Sequence, residues 1–244
     1  LLPEGYVFKS GSTWISDPSG TELTNVSMAK IPIKSMNYPT EMSMTYGGAG
    51  TLLVNVKKET GTGAVSFQWY KVEDGNEKAV GGATTKNQFD LSAQKLPAGN
   101  HTFRFLATCD GYEKMSEDIA VTVQKADIRS ITPPTAQENL TYTGQEQALI
   151  TAGSVANYGT MQYSLTENGT YSQDIPTGTD AGAYTVWYRV IGDANHNDTA
   201  PASVVVSIGQ KPLTITGVTA ASKPYDGTTN AGITSVTFDN VTLT

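Results

Sequence analysis

The 244 residues contain one cysteine, Cys109, and two histidines, His101 and His196. A single thiol excludes an intrachain disulfide, so any core must be held by packing alone. Two histidines leave little material for a nucleophile–base pair, which needs a base of near-neutral pKa beside the attacking group. His101 falls in an expected inward row and His196 in an Asn-rich loop, and neither has an evident Ser or Cys partner. Cys109 follows an apolar run and precedes Asp110-Gly111, the setting of a half-buried thiol beside a turn rather than a reactive one. There is no glycine-rich phosphate loop, zinc-ligand spacing or paired-Glu motif. Carboxylate pairs that hydrolyse glycosides meet only in space, and nothing here points to them. The expectation is a chain that is not an enzyme, with no catalytic, cofactor or metal residues.

Basic residues are also scarce. Lys and Arg number 16 against 23 Asp and Glu, a net charge of −7 with pI near 4.8. Nucleic acid and anionic membrane both reward clustered cations, so neither is expected as a partner. The acidity is uneven: residues 31–126 balance ten basic against ten acidic side chains, whereas 127–210 hold eight acidic residues against Arg129 and Arg189 alone. The longest apolar stretch, around 202–208, is far too short to span a bilayer. Neither a signal peptide, a sorting motif nor an initiator Met at Leu1 is seen, so a piece of a longer protein is expected.

No segment sustains a 3.6-residue apolar period. Short alternating runs rich in Thr, Val and Tyr, closed by Gly, Pro or Asn, recur throughout and predict an all-β chain. These runs repeat as a set. Ile33-Lys34-Ser35 before Pro39-Thr40 is matched by Ile128-Arg129-Ser130 before Pro134-Thr135. Tyr46-Gly47-Gly48, Tyr142-Thr143-Gly144 and Tyr225-Asp226-Gly227 each end an extended opening segment. The junctions recur too: Val26-Ser27-Met28, Val121-Thr122-Val123 and the run 204–208 each lead through a Lys-bearing linker to the next first strand. The expected organisation is an N-terminal segment 1–30 that could close a preceding module, domains at 31–126 and 127–210, and the start of a third module at 211–244.

Within the first domain Val65, Phe67 and Trp69 share one face of an alternating strand; His101, Phe103, Phe105 and Ala107 form a second inward row and Ile119, Val121 and Val123 a third. In the second, Met161, Tyr163 and Leu165 take the place of the tryptophan row, with Val204, Val206 and Ile208 on the last strand. Asp180-Ala181-Gly182-Ala183-Tyr184-Thr185-Val186 resembles the turn before the sixth strand of immunoglobulin sandwiches, in which the Tyr hydroxyl ties the corner to backbone. Val186 stands where those domains carry a cysteine. Pro97-Ala98-Gly99-Asn100-His101-Thr102-Phe103 is a weaker version, with His101 at the corner and its bond left open. The fold class is thus tandem immunoglobulin-like β-sandwiches in an elongated arrangement. Animal extracellular domains of this kind usually carry a disulfide, so its absence points to a bacterial extracellular module, with a cytoplasmic protein as the lesser alternative.

The run 184–190 followed by Gly192-Asp193-Ala194-Asn195 resembles the penultimate strand and hairpin loop of bacterial MBG repeats. Lys223-Pro224-Tyr225-Asp226-Gly227-Thr228-Thr229 is similar to the motif of YDG modules. The resemblance covers 127–244 well and 31–126 as a generic bacterial Ig-like domain. It implies a stalk, spacer or adhesive unit of an exported cell-surface or secreted protein, without shared catalytic residues. Its implied partners are a host or cell-surface protein or glycan and neighbouring modules of the same chain.

Some side chains invite a binding reading. Trp187 should face outward beside Arg189, Tyr70 should be outward in the first domain, and Trp14 is a further aromatic; an exposed platform of this kind could contact a ligand. The alternative function is therefore a carbohydrate-binding accessory module of a surface glycan-degrading system. Residues 193–198 place oxygen ligands at the first, third and fifth positions of a calcium loop, but lack its Gly at the sixth and Glu at the twelfth, so a turn is expected. The absence of Lys from 127–210 rules out a Lys–Asn cross-link there. Six Asn-x-Ser/Thr triplets, at Asn25, Asn100, Asn139, Asn168, Asn197 and Asn240, are read as products of an Asn- and Thr-rich composition.

Overall fold

Alternating rows of Val, Ile, Phe and Trp can bury only one face of a strand, so two sheets must close on each other. The structure is a computed structural model that describes residues 6–8, 15–16, 23–24, 28–30, 32–60 and 62–239. It divides into two compact units, Leu1–Ile128 with Gly192–Asp198, and Arg129–Ile191 with Thr199–Thr244. The expected junction at Val26-Ser27-Met28 falls mostly outside the described residues.

At the start of the first unit β1 (Tyr6–Phe8) pairs with β4 (Met28–Lys30), and β2 (Ile15–Ser16) with β3 (Leu23–Thr24). The sandwich follows. One layer is made of two separate two-stranded ladders, β5 (Ile33–Asn37) with β8 (Asn55–Lys58) and β7 (Thr51–Leu53) with β11 (Gln88–Asp90). The other runs β10 (Asn76–Thr84), β9 (Ser66–Glu73), β12 (Gly99–Cys109), β14 (Ile119–Gln124), β6 (Glu41–Thr45), with β13 (Tyr112–Met115) also on β12. The pairing of β14 with β6 is parallel, Ala120 to Glu41 through Gln124 to Thr45. A first strand that crosses to the second sheet and runs beside the last is the immunoglobulin arrangement.

The rows read from sequence fill this sandwich. Phe67, Trp69, Phe103, Phe105, Ala107, Ile119, Val121 and Val123 are all buried. Trp69 stacks on Phe89 at 4.7 Å and tilts against Phe105 at 5.0 Å, an aromatic centre doing the work of the missing disulfide. Burial of each such side chain contributes about 1.5–3 kcal/mol. Two tight hairpins fix register. Asp74-Gly75 joins β9 to β10 and Asp110-Gly111 joins β12 to β13; all four residues have φ between 49° and 78°, as two-residue hairpin turns require.

The second unit repeats the plan, with strands of only two residues in its first layer. β15 (Ile131–Thr132) pairs with β19 (Ser154–Val155), β16 (Thr135–Ala136) with β18 (Ile150–Thr151), and β17 (Gln147–Ala148) with β21 (Thr177–Gly178). The facing sheet orders β20 (Gly159–Ser164), β22 (Gly182–Gly192) and β23 (Ala202–Ile208). Thr141 bridges Gly209 in parallel, with Tyr142 donating its N–H to the Gly209 carbonyl at 2.8 Å. Tyr46 donates to the Gln124 carbonyl at the same 2.8 Å in the first unit, so the Tyr-x-Gly repeat marks one structural position twice. Leu149, Ile150, Met161, Tyr163, Val186, Val190, Val206 and Ile208 form the core. Tyr163 replaces Trp69 and uses its hydroxyl to accept the Gly153 N–H at 3.0 Å.

Leu165 does not join this row; it is 46% exposed. The strand ends at Ser164, whose Oγ accepts the Thr166 N–H at 3.2 Å, and this turn stops the alternation one residue early. Beyond β23, β24 (Ile215–Ala220) and β25 (Ile233–Phe238) form a two-stranded hairpin. The segment between them holds Lys223 Nζ 2.9 Å from Asp226 Oδ1 and 2.8 Å from Thr228 Oγ1, with Gly227 at φ +74° and Tyr225 96% exposed.

Candidate functional site

Trp187 and Arg189 lie two residues apart on β22, so they share the face opposite buried Val186 and Val190. Both are half-buried, and Trp187 sits across from Ser203 on β23. The Arg189 guanidinium lies 4.3 Å from the centre of the Tyr171 ring, and one of its amino groups reaches Gln162 Oε1 at 3.4 Å. Tyr171 is itself held, its hydroxyl donating to the Glu167 carbonyl at 2.8 Å. Arg189 Nε is buried without a hydrogen-bond partner, and among the described residues no carboxylate forms an ion pair with this side chain. Tyr171 comes from an irregular segment without periodicity, and no sequence pattern marks it as Arg189's neighbour.

Tyr70 stands in a different setting. It is half-buried on β9, directly across from Ala79 and Arg104. Arg104 is neutralised by Asp118 and by Glu77, the latter at 2.9 Å, and these carboxylates raise its pKa further. That face is a solvated ion-pair network, worth little individually and without an unmatched charge. Trp14 lies outside the described residues. The described aromatics therefore do not form one platform, because Trp187 and Tyr70 belong to different units.

The Asp193–Asp198 segment is a turn whose oxygens are already engaged. Asp193 Oδ1 accepts from the Asn195 N–H at 2.8 Å and contacts His196 Nδ1 at 2.7 Å, which holds this carboxyl below its usual range. Asp198 Oδ1 accepts the Gly192 N–H at 2.8 Å, and Asn195 Oδ1 accepts that of Ala98 at 2.9 Å. Asn197 donates to Asp127 Oδ1 at 2.8 Å, and Ala126 exchanges backbone bonds with Asn195 and Asn197, each 2.9 Å. The oxygens point into a hydrogen-bonded loop rather than converge on a cation. Among the described residues no group of three or more His, Cys, Asp or Glu is arranged to hold a metal.

The groups most able to act as nucleophile or base are built into structure. His101 Nε2 lies 2.8 Å from the Pro97 carbonyl; a carbonyl only accepts, so this nitrogen donates. His196 is buried against the Tyr46 ring at 5.5 Å. Cys109 is buried, 3.6 Å from the Gly63 carbonyl, and burial pushes its thiol pKa up. A thiol held protonated and out of solvent is a core group.

Strand order defines the chain as tandem immunoglobulin-like β-sandwiches. Residues 209–243 match the YDG domain family, in agreement with the Tyr225-Asp226-Gly227 motif. No curated protein matches the chain. Among solved structures it is similar to Sidekick-1 immunoglobulin domains 1–5, at 10% identity and a TM-score of 0.29, over 76% of this chain and 41% of that one. It is also similar to Drosophila OTK extracellular domains 3–5, at 12% identity and a TM-score of 0.29, over 80% of this chain and 70% of that one. The chain thus spans less than half of the first of these. At such scores neither likeness adds to what the strand order shows. No helix among the described residues is long and apolar enough to cross a membrane.

Proposed function

We propose that this chain is a non-catalytic segment of a bacterial cell-surface or secreted protein, in which successive Ig-like modules act as stalk or spacer and in adhesion. The modules are taken as 31–126, an MBG-type 127–210 and a YDG-type module opening at 211, after an N-terminal segment 1–30. The carrying observation is the repeated parallel closure: Tyr46 on Gln124 and Tyr142 on Gly209 end the same strand in the same way. Each sandwich has its own buried core, which is what a string of load-bearing or spacing units needs. Cores closed by aromatic and aliphatic packing need no oxidising compartment to form a disulfide.

Small-angle scattering of the full chain tests the spacer reading. A single compact body of this length would have a radius of gyration of about 18 Å. An array gives a clearly larger value and an extended distance distribution; a radius near the compact value overturns the spacer role. Protease shaving of intact cells of the source bacterium tests the location, with release of peptides from this chain expected and their confinement to the lysate contrary.

A further inference from the structure

We propose that the Trp187–Arg189 face of the second unit binds a glycan whose terminal sugar carries one carboxylate, with the sugar ring on the indole and the carboxylate on the guanidinium. Charge along the 127–210 stretch is unbalanced. Arg129 and Arg189 are the only basic residues between 127 and 210, where eight carboxylates are present. A guanidinium in such company normally finds a carboxylate, as Arg104 does with Glu77 and Asp118. Arg189 has none among the described residues; its Nε is buried and unbonded, so an external anion would meet the terminal amino groups of the guanidinium. Nor is the side chain loose. Tyr171 stacks beneath it and is pinned by the Glu167 carbonyl, while Gln162 steadies one amino group. A fixed, half-buried and uncompensated cation is a site prepared for an external anion, and guanidinium geometry favours a two-oxygen acceptor such as carboxylate.

The rest of the face selects the carrier of that anion. Trp187 is on the same side of β22, about 7 Å along the strand, a spacing close to the width of one sugar ring. An indole face takes the apolar side of a pyranose, and an adjacent guanidinium then meets a substituent at the ring's edge. Arg129 and Arg189 face eight carboxylates over 127–210, a net negative stretch that disfavours a polyanion. One carboxylate at a chain end fits. This inference does not depend on the spacer reading, since a spacer needs no ligand.

The test is calorimetric titration of the full chain with sialyllactose and with a glucuronic-acid-terminated disaccharide, beside their carboxyl-reduced forms, polygalacturonate and an Asp/Glu-rich peptide. Binding to an acid-terminated sugar should weaken about tenfold or more on carboxyl reduction, and by a similar factor in Arg189→Gln. Arg189→Lys should retain part of the affinity, and Trp187→Ala should lose it while Tyr70→Ala does not. The reduced ligands make the comparison without any change to the protein, so a variant that misfolds leaves the test intact. Equal affinity for the reduced sugars, binding only to polygalacturonate or to the acidic peptide, or no binding to any probe overturns the proposal.

Discussion

His101 reaches back four residues to the Pro97 carbonyl at 2.8 Å, the same span over which Tyr184 hydroxyl donates to the Asp180 carbonyl at 2.9 Å. Two different side chains therefore close the same corner, one in each sandwich. The imidazole does so with Nε2–H, which sits near where a phenol hydroxyl would be.

If the corner bond is what this position provides, His101→Phe should remove it and keep a ring, with a loss of about 0.5–1.5 kcal/mol in urea unfolding followed by tryptophan fluorescence. Tyr184→Phe should show a loss of the same order in the second unit. His101→Tyr should be neutral or nearly so. A Phe variant as stable as the parent would show that the bond contributes nothing.

The Tyr184 ring also rests on a glycine. A methyl group at Gly178 would lie 2.8 Å from the ring's Cζ and 3.0 Å from Leu149 Cδ2, closer than carbon atoms pack. Gly178→Ala should therefore destabilise by about 1–3 kcal/mol through overpacking. Because the clash is with the ring, the same change should cost less in a Tyr184→Leu background. Thermal melts of the four proteins of this cycle check it, and strict additivity would mean that the two positions do not touch.

These corners show what a sequence discloses. The Tyr184 corner is legible because Asp180, Gly182 and Tyr184 keep a recurrent spacing, and the Phe67–Trp69 and Phe103–Ala107 rows because strand side chains alternate. The His101 corner is legible only in part: Gly99 and the spacing mark the place, histidine leaves the bond open, and the distance to the Pro97 carbonyl closes it. Leu165 reads as inward because alternation is assumed to persist, whereas the Ser164 turn ends it. The hairpins at Asp74-Gly75 and Asp110-Gly111 could have been read, as Asp-Gly is a strong two-residue turn signal. The Tyr171–Arg189 stack could not, because a loop residue reaches its partner through tertiary folding alone.

Cys109 offers a chemical check on the first core. It is buried with a raised pKa, so a thiol reagent such as DTNB should react with native protein far more slowly than with a free thiol, and stoichiometrically once urea unfolds the chain. Immediate reaction at neutral pH in buffer would contradict the packing of β12 against Gly63.

The Tyr225-Asp226-Gly227 segment carries a pH dependence with a definite sign. The Lys223 ammonium hydrogen-bonds Asp226, and the Thr228 N–H adds a bond at 3.0 Å; both hold the carboxyl below its ordinary value. A group whose pKa is depressed by folding favours the folded loop above its unfolded pKa, about 3.9. That contribution fades as the pH falls through the lower, folded value. Carboxyl chemical shifts followed by NMR should place the Asp226 midpoint below that of an unstructured peptide. Lys223→Met should move it upward, toward the ordinary range, because the leading cause is removed while the Thr228 bond remains. The group is exposed, so added salt should shrink the difference between the two proteins, and an Asp226 midpoint indifferent to Lys223 would show that the ammonium does not hold this loop.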